Sequence, residues 1–519
     1  MIKDKKEFIE QYTALIAGLN RDHQSLLWWA TDISSKNRYT CLLPDYVQEL
    51  MDTRSVVRRG RIDVCIQRYK KICAVFWFAL LMYLRSVLAR WVLGKHIEKH
   101  LSGNENFYVI KTFSYDSSLD KEGKYHDAFF GRLPGEFSTH KKVLLFVNVL
   151  GNFRLFLSKA RAAGPFPIVP LEFFLGWRDI CDAVAGILKF RVDLKQPVLF
   201  NGQDVTALVK YELYRTFNGI QINQLLHYHC TRRLLEKCQA ETFLMTYENN
   251  PWERMCTLAL REYSPGTKVI GYQHSVVPQA ALNMLIHPSE RDIVPLPDRI
   301  LTVGDITAKF LDQYGHYPPS LVQAACALRY EYLKREKADR APWRGHILVV
   351  LDGVKKSEQL LRYILSQLKT HQEYQIIVRA HPSLPWPYFR RQFGQAMDRL
   401  AHMQSSQQSL RKDLDWADVV IYWQSTVALE ALSLGKPLVN FSPDSILSFD
   451  PLSGHSFLKW IVRPGESLVT TLEKIHGLSA DTFETLYREA QDFIGQYFYP
   501  VTQERLRAFE GCSYSESVL

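Results

Sequence analysis

Three short stretches in the second half of the chain carry groups suited to a phosphorylated ligand. Asp352-Gly353, Arg379-Ala380-His381-Pro382 and Ser425-Thr426 each follow an apolar run, and Glu430 comes about one helical turn after the last. The hydroxyls of Ser425 and Thr426, together with the unpaired N–H groups of a helix beginning there, can hold a phosphate, whose charge the helix dipole favours. His381 can donate to a phosphoryl oxygen and, when protonated, add charge, while Pro382 stiffens the loop that aims it. Arg379 and Lys436 are further cations for a leaving phosphate. The Glu430 carboxylate can accept both hydroxyls of a ribose, and Gly353 allows close approach of backbone to ligand. Each stretch also has a plain structural use: Ser-Thr caps helices, Asp-Gly makes turns, and a helix glutamate is commonly solvated. Their succession at consecutive strand ends favours a nucleotide site.

The first half has its own constellation. Thr246-Tyr247-Glu248-Asn249-Asn250-Pro251-Trp252-Glu253 follows one apolar run, and Gly271-Tyr272-Gln273-His274-Ser275 follows the next. Glu248 or His274 could act as general base toward an acceptor hydroxyl; the structural alternative is a capping glutamate and a hydrogen-bonded core histidine. Two further stretches combine aromatic faces with hydroxyl-binding groups: Trp28-Trp29-Ala30-Thr31-Asp32-Ile33-Ser34-Ser35-Lys36-Asn37, and the loop 116–134, in which Asp127 is a third candidate catalytic carboxylate.

The elements that must position these groups follow from short apolar runs. In the first half, Leu26–Ala30, Tyr108–Lys111, Lys142–Val149, Thr242–Thr246 and Lys268–Gly271 read as buried strands, and Ile222–Gln239 as a helix. In the second half, strands at His346–Leu351, Tyr374–Arg379, Val419–Tyr422 and Pro437–Phe441 alternate with helices at Lys355–Lys369, Pro387–His402 and Thr426–Leu434. That alternation predicts an α/β fold with doubly wound parallel sheets, in which ligands bind beyond the C-terminal strand ends. The charged stretch Lys334–Trp343 divides a first domain, 1–335, from a second, 340–500, with 501–519 as a C-terminal tail.

Composition bounds the partners. The 519 residues are 47% hydrophobic and 23% charged, which excludes a disordered or fibrous chain, and the net charge of +10 favours an anionic partner. Nine cysteines without a CxxC pair fit reduced thiols in a cytoplasmic protein. Residues 51–100 hold eleven basic against three acidic residues around the uncharged run Ile72–Leu84. That run is too short to span a bilayer but suits a helix lying on an anionic membrane surface; a buried helix with a basic surround is the alternative. The chain lacks a P-loop, a GxGxxG after a strand, an HExxH or paired-CxxC metal site and a GxSxG elbow. The basic run 54–71 lacks an RNA-binding motif, so nucleic acid is not the expected partner.

The second half resembles the nucleotide-binding domain of GT-B glycosyltransferases. Asp352-Gly353, His381-Pro382 and Ser425-Thr426 resemble the three short motifs of bacterial sialyltransferases, polysialyltransferases and capsule-type Kdo transferases, which use CMP-activated ulosonic acids. Through WWATDISSKN, DAFFGRLP, TYENNPWERM and GYQHSVVPQ, nearly the whole chain resembles a family of surface carbohydrate biosynthesis proteins of O-antigen clusters. The resemblance implies two Rossmann-like domains facing a cleft, nucleotide and phosphate contacts from His381 and Ser425-Thr426, and no bound metal or cofactor. It also implies a lipid-linked glycan as acceptor, at the inner face of the cell membrane. Two departures stand out: Leu351-Asp352 is one acid short of the expected acidic pair, and Gln273-His274-Ser275 replaces Gln-His-Gly. UDP, GDP and dTDP donors therefore stay open beside CMP. So do a GT-B-like nucleotide-sugar 2-epimerase and a non-catalytic assembly partner.

Overall fold

The computed structural model describes residues 5–511, apart from 38–39, 54–60, 102–104, 121–123, 162–163, 217–218, 334–341 and 444–446. Most of the charged stretch expected at the domain boundary therefore lies outside the described residues. The strands, in chain order, are β1 (Asn106–Ser114), β2 (Val143–Val149), β3 (Ile168–Pro170), β4 (Leu199–Phe200), β5 (Gln203–Asp204), β6 (Gln239–Thr246), β7 (Lys268–Gln273), β8 (Arg299–Thr302), β9 (Val322–Ala324), β10 (His346–Val350), β11 (Gln375–Arg379), β12 (Met403–Ser405), β13 (Val419–Tyr422), β14 (Leu438–Phe441) and β15 (Lys459–Val462).

The chain divides into two units. Unit 1 comprises Met1–Ser275, Leu282–Glu331 and Tyr499–Leu519; unit 2 comprises Val276–Ala281 and Tyr332–Phe498. Each is built on a parallel sheet with helices between the strands, so the fold is α/β with two Rossmann-like units. The unit 1 sheet runs β3-β2-β1-β6-β7-β8-β9, and the unit 2 sheet β12-β11-β10-β13-β14-β15. Both orders run outward in one direction from a central strand and then resume on its other side. The reversal falls between β1 and β6 in unit 1 and between β10 and β13 in unit 2. These central strands are buried along nearly their whole length, as parallel strands covered on both faces must be.

The residues set apart as a C-terminal tail pack in unit 1 as far as they are described: the Tyr108 hydroxyl and the Lys268 amine donate to the carbonyls of Phe509 and Gly511. Leu26–Ala30 is helix rather than strand. Ser25 caps Leu26–Trp29 by accepting the Trp28 N–H at 3.2 Å, and Thr31 caps Asp32–Ser35 by accepting the Ser34 N–H at 3.3 Å. Two caps six residues apart outweigh the apolar run between them.

The helix Arg61–Leu101 is the longest element, and its side chains are described from Lys70 onward. Over Lys70–Leu101 it is long and apolar enough to cross a membrane, by length and composition alone. Val75, Ala79, Met82, Ser86, Ala89, Leu93 and Ile97 form a buried stripe with helical spacing. Arg85 reaches inward to the buried Glu172 at 3.0 Å and to the Val149 carbonyl at 3.2 Å. The opposite face is exposed and apolar: Phe76, Trp77, Leu80, Leu81, Leu84, Val87 and Trp91, with Trp91 82% exposed.

Candidate functional site

In an open parallel sheet the loops diverge where strand order reverses, leaving a crevice at the carboxyl ends of the strands. In unit 1 the sequence places Tyr115 directly after β1 and Glu248 two residues after the end of β6, at that point. A pocket of about 220 Å³ opens there. Phe113, Phe129 and Trp252 give it aromatic faces, and Glu248, Glu253, Asn250 and His274 give it polar groups.

Local structure explains how Glu248 is presented. Glu253 and Asn250 form the capping box of the helix Pro251–Tyr263. The buried Glu253 carboxylate accepts the backbone N–H of Glu248 at 3.0 Å and of Asn250 at 2.7 Å. Between them Asn249 takes φ +56°, a left-handed conformation that asparagine tolerates. Its side chain is pinned by the Asn283 carbonyl at 2.7 Å and by Arg254 at 3.0 Å. The Glu248 carboxylate itself accepts from the Ser275 hydroxyl and, at 3.4 Å, from the Asn250 amide. Burial and the neighbouring charge of Glu248 push Glu253 well above the usual carboxylate range. Tyr247 lies against β7 so tightly that a Cβ on Gly271 would fall 2.7 Å from its ring.

His274 lines the same pocket. Its ring meets Phe129 edge-on at 4.6 Å between centroids, and its buried Nδ1 has no hydrogen-bond partner among the described residues. Burial holds its pKa down at about 4, so the imidazole is neutral at physiological pH. Asp127, the third catalytic candidate, does not line the pocket. Its carboxylate accepts the N–H groups of Phe129 and Phe130, both at 2.8 Å, and the Tyr125 hydroxyl at 3.2 Å. It closes the loop that holds Phe129 against His274. The stretch Trp28–Asn37 supports the site from behind. Ser34 accepts Arg254 and Asn20 on its carbonyl, Lys36 forms a fully buried pair with Glu290 at 2.8 Å, and Asn37 donates to Asn250. Ser34 and Asn37 thereby brace the Glu248–Arg254 turn.

In unit 2 the corresponding crevice lies between the ends of β10 and β13. Asp352 is there, buried, with neither carboxylate oxygen hydrogen-bonded among the described residues. Burial pushes it up to about 7, against a smaller opposing effect of the Gln424 backbone. Its loop is tied down by the buried Ser357, which accepts the Asp352 N–H at 3.0 Å and donates to its carbonyl at 3.1 Å. Gly353 packs directly on the His381 loop: a Cβ would strike the Ser383 hydroxyl and come within 2.8 Å of His381 Nδ1. That Nδ1 accepts the Ser383 N–H at 3.1 Å, so the proton of the neutral ring belongs to Nε2. Partial desolvation by the surrounding loop lowers the pKa of His381 from the ordinary imidazole value. Pro382 follows it on the exposed loop.

The remaining second-half candidates are engaged. Arg379 donates to the buried Asp413 at 2.7 Å, to Ser406 at 3.1 Å and to the Gln408 carbonyl at 2.9 Å. Ser425 accepts the Val427 N–H at 3.3 Å at the start of the seven-residue helix Val427–Ser433, and Thr426 is exposed. Glu430 accepts the Tyr332 hydroxyl at 2.6 Å. Lys436 donates to the Ala417 carbonyl at 2.8 Å, beside the starts of β13 and β14, so it belongs to the opposite end of the sheet from Ser425.

Sequence reasoning passed over two groups. Glu253 was readable from the Asn-x-x-Glu capping-box spacing. Arg329, whose guanidinium lies 5.7 Å from the Phe129 ring centroid, carries no local signal.

No family model and no curated protein matches the chain. Among solved structures it is similar to a glycosyltransferase from Rickettsia africae at 10% identity and TM-score 0.45, covering 79% of this chain and 98% of that one. It is also similar to Anabaena HepE in complex with UDP and glucose, at 11% identity and TM-score 0.41 over 78% and 97% of the two chains. A UDP-GlcNAc 2-epimerase from Neisseria meningitidis is similar at 12% identity and TM-score 0.38, over 78% and 98%. These are distant likenesses of fold.

Proposed function

We propose that the chain is a GT-B glycosyltransferase that moves a sugar from a nucleotide-sugar donor to a lipid-linked surface glycan. One observation carries the reading: the reversal point of each sheet is furnished for a different half of that reaction. Unit 1 offers an aromatic-walled pocket with a hydrogen-bonded carboxylate, and unit 2 offers Asp352, Gly353, His381 and Ser425 at three adjoining strand ends. A CMP-linked ulosonic acid is the donor that the motif resemblance implies.

In this mechanism the acceptor sugar lies against the aromatic faces of the unit 1 pocket, and Glu248 takes the proton of its attacking hydroxyl. The hydrogen bonds from Ser275 and Asn250 orient that carboxylate. The His381 Nε2–H donates to the leaving phosphate, aided by the hydroxyls of Ser425 and Thr426. The reading assigns no metal. The chain works in the cytoplasm, peripheral to the inner face of the membrane. Supporting this, the helix Arg61–Leu101 turns an apolar face outward while its other face is held on unit 1, an arrangement suited to lying in the interface.

The test is a thermal-shift screen of CMP, UDP, GDP and dTDP on the wild type and on His381→Ala. At ~100-fold saturation a true ligand adds about 2.7 kcal/mol. A nucleotide that stabilises the wild type but not the variant supports the reading. Turnover of the nucleotide-sugar without any acceptor makes the chain an epimerase, binding without turnover a non-catalytic partner, and no response to any nucleotide ends the proposal.

A further inference from the structure

We propose that the sugar bound in the unit 1 pocket carries an anionic group, a carboxylate or a phosphate, and that Arg329 meets its charge. This rests on the reading of that pocket as the acceptor site. Arg329 belongs to a single 3-10 turn, Leu328–Tyr330, whose backbone is locked in place. The Tyr272 hydroxyl, at the end of β7, donates to the Cys326 carbonyl and accepts the Leu328 N–H, both at 3.0 Å. The Ala327 N–H is held by the Tyr499 carbonyl at 2.9 Å. On the other side Gly131, at φ +53°, lies so close that a Cβ there would fall 2.9 Å from the Leu328 carbonyl oxygen. The turn is thus clamped between β7 and the loop that Asp127 closes.

From this turn the Arg329 side chain emerges into solvent beside the pocket. Its guanidinium lies 5.7 Å from the centroid of Phe129, a pocket wall, and 5.6 Å from that of Tyr330. Among the described residues it makes no ion pair and no side-chain hydrogen bond. Its charge is felt at Tyr115 and His274, which also line the pocket. His274 adds a buried Nδ1 that lacks a partner. The pocket holds a carboxylate, suited to a hydroxyl, and beside its Phe129 wall stands an unneutralised planar fork whose ring contacts pre-order it. Such a fork matches carboxylate and phosphate oxygens two at a time, and a neutral sugar would leave it unused.

The experiment measures binding of three probes, glucose, glucuronate and glucose 1-phosphate, to the full-length wild type and to Arg329→Gln by titration calorimetry, with the His274 imidazole signals followed by NMR. At least one anionic probe should bind the wild type about 10- to 100-fold more tightly than glucose, the worth of a charge-assisted contact. That advantage should vanish in Arg329→Gln, with glucose affinity and melting temperature unchanged, and the His274 signals should move with the anionic probe only in the wild type. A stronger carboxylate arm identifies an acidic sugar, and a stronger phosphate arm a phosphate-linked one. Equal binding of all three probes, no binding of any, or a preference that survives Arg329→Gln overturns the proposal. The nucleotide screen separates the two readings: nucleotide binding without anion preference removes only the subsite, and anion preference without nucleotide binding removes only the transferase.

Discussion

Replacing Glu248 by Gln separates chemistry from architecture at the unit 1 pocket. The variant keeps side-chain volume and leaves one oxygen to accept the Ser275 hydroxyl. The backbone N–H that anchors the turn to Glu253 is untouched. What is lost is the ability to take a proton, together with the weak 3.4 Å contact from the Asn250 amide, which would then face an amide donor. One marginal hydrogen bond on a half-buried group is worth at most about 1 kcal/mol. Removing a negative charge next to the buried Glu253 offsets part of that, because Glu248 is one cause of the raised pKa there. Stability should therefore change by less than about 1 kcal/mol in denaturant titration. Transfer activity, followed by release of the nucleotide, should fall ~10²–10⁴-fold if Glu248 is the general base. Nucleotide affinity, assigned to unit 2, should stay the same. Full turnover in a folded Glu248→Gln protein refutes the assignment and moves the test to His274, which lines the same pocket. A large loss of stability with normal turnover per folded molecule shows that Glu248 is a structural cap.

Three further outcomes follow from the geometry. Gly353→Ala should weaken nucleotide binding at least about tenfold in calorimetry while melting near the wild-type temperature, because its Cβ collides with the side chains of Ser383 and His381 on an exposed loop; unchanged affinity would detach these two motifs from the nucleotide. Asp352, raised to about 7 in the folded chain and ordinary in the unfolded one, binds more protons when folded, so its cost is absent at acid pH and grows as pH rises from about 4 to 7. Asp352→Asn should thus be more stable than the wild type at pH 8, by no more than about 4 kcal/mol, with the gap closing toward pH 4 in melting curves; a gap independent of pH refutes the buried-acid account. Trp77→Glu combined with Trp91→Glu should cost the protein its sedimentation with lipid vesicles more than tenfold while leaving its circular dichroism unchanged, since both rings lie on the exposed helix face; undiminished vesicle binding would mean that this face does not enter the lipid.

The strand ends of this protein are legible in its sequence because parallel strands covered on both faces must be short continuous apolar runs, so the first polar residue after each run marks a loop at the ligand-binding edge. That rule places Glu248, His274, Asp352 and His381 just beyond strand ends, where the structure has them. What periodicity and residue type cannot carry is which polar group already has a partner. Arg379 looks like a phosphate contact until Asp413, brought in by a helix further along the chain, takes its charge. Asp127 looks like a catalytic acid until its oxygens are seen closing a turn on Phe129 and Phe130. Trp28–Asn37 looks like a sugar platform, but Ser34 and Asn37 turn to the buried Arg254 and to Asn250, and Lys36 to Glu290. The converse error is Arg329: nothing near it in the sequence resembles a motif, and it reaches the pocket only because Tyr272 and Gly131 clamp its turn from two distant segments. Motifs thus point to the edge of the sheet where chemistry can happen, while the assignment of each side chain to ligand or scaffold depends on contacts between segments far apart in the chain.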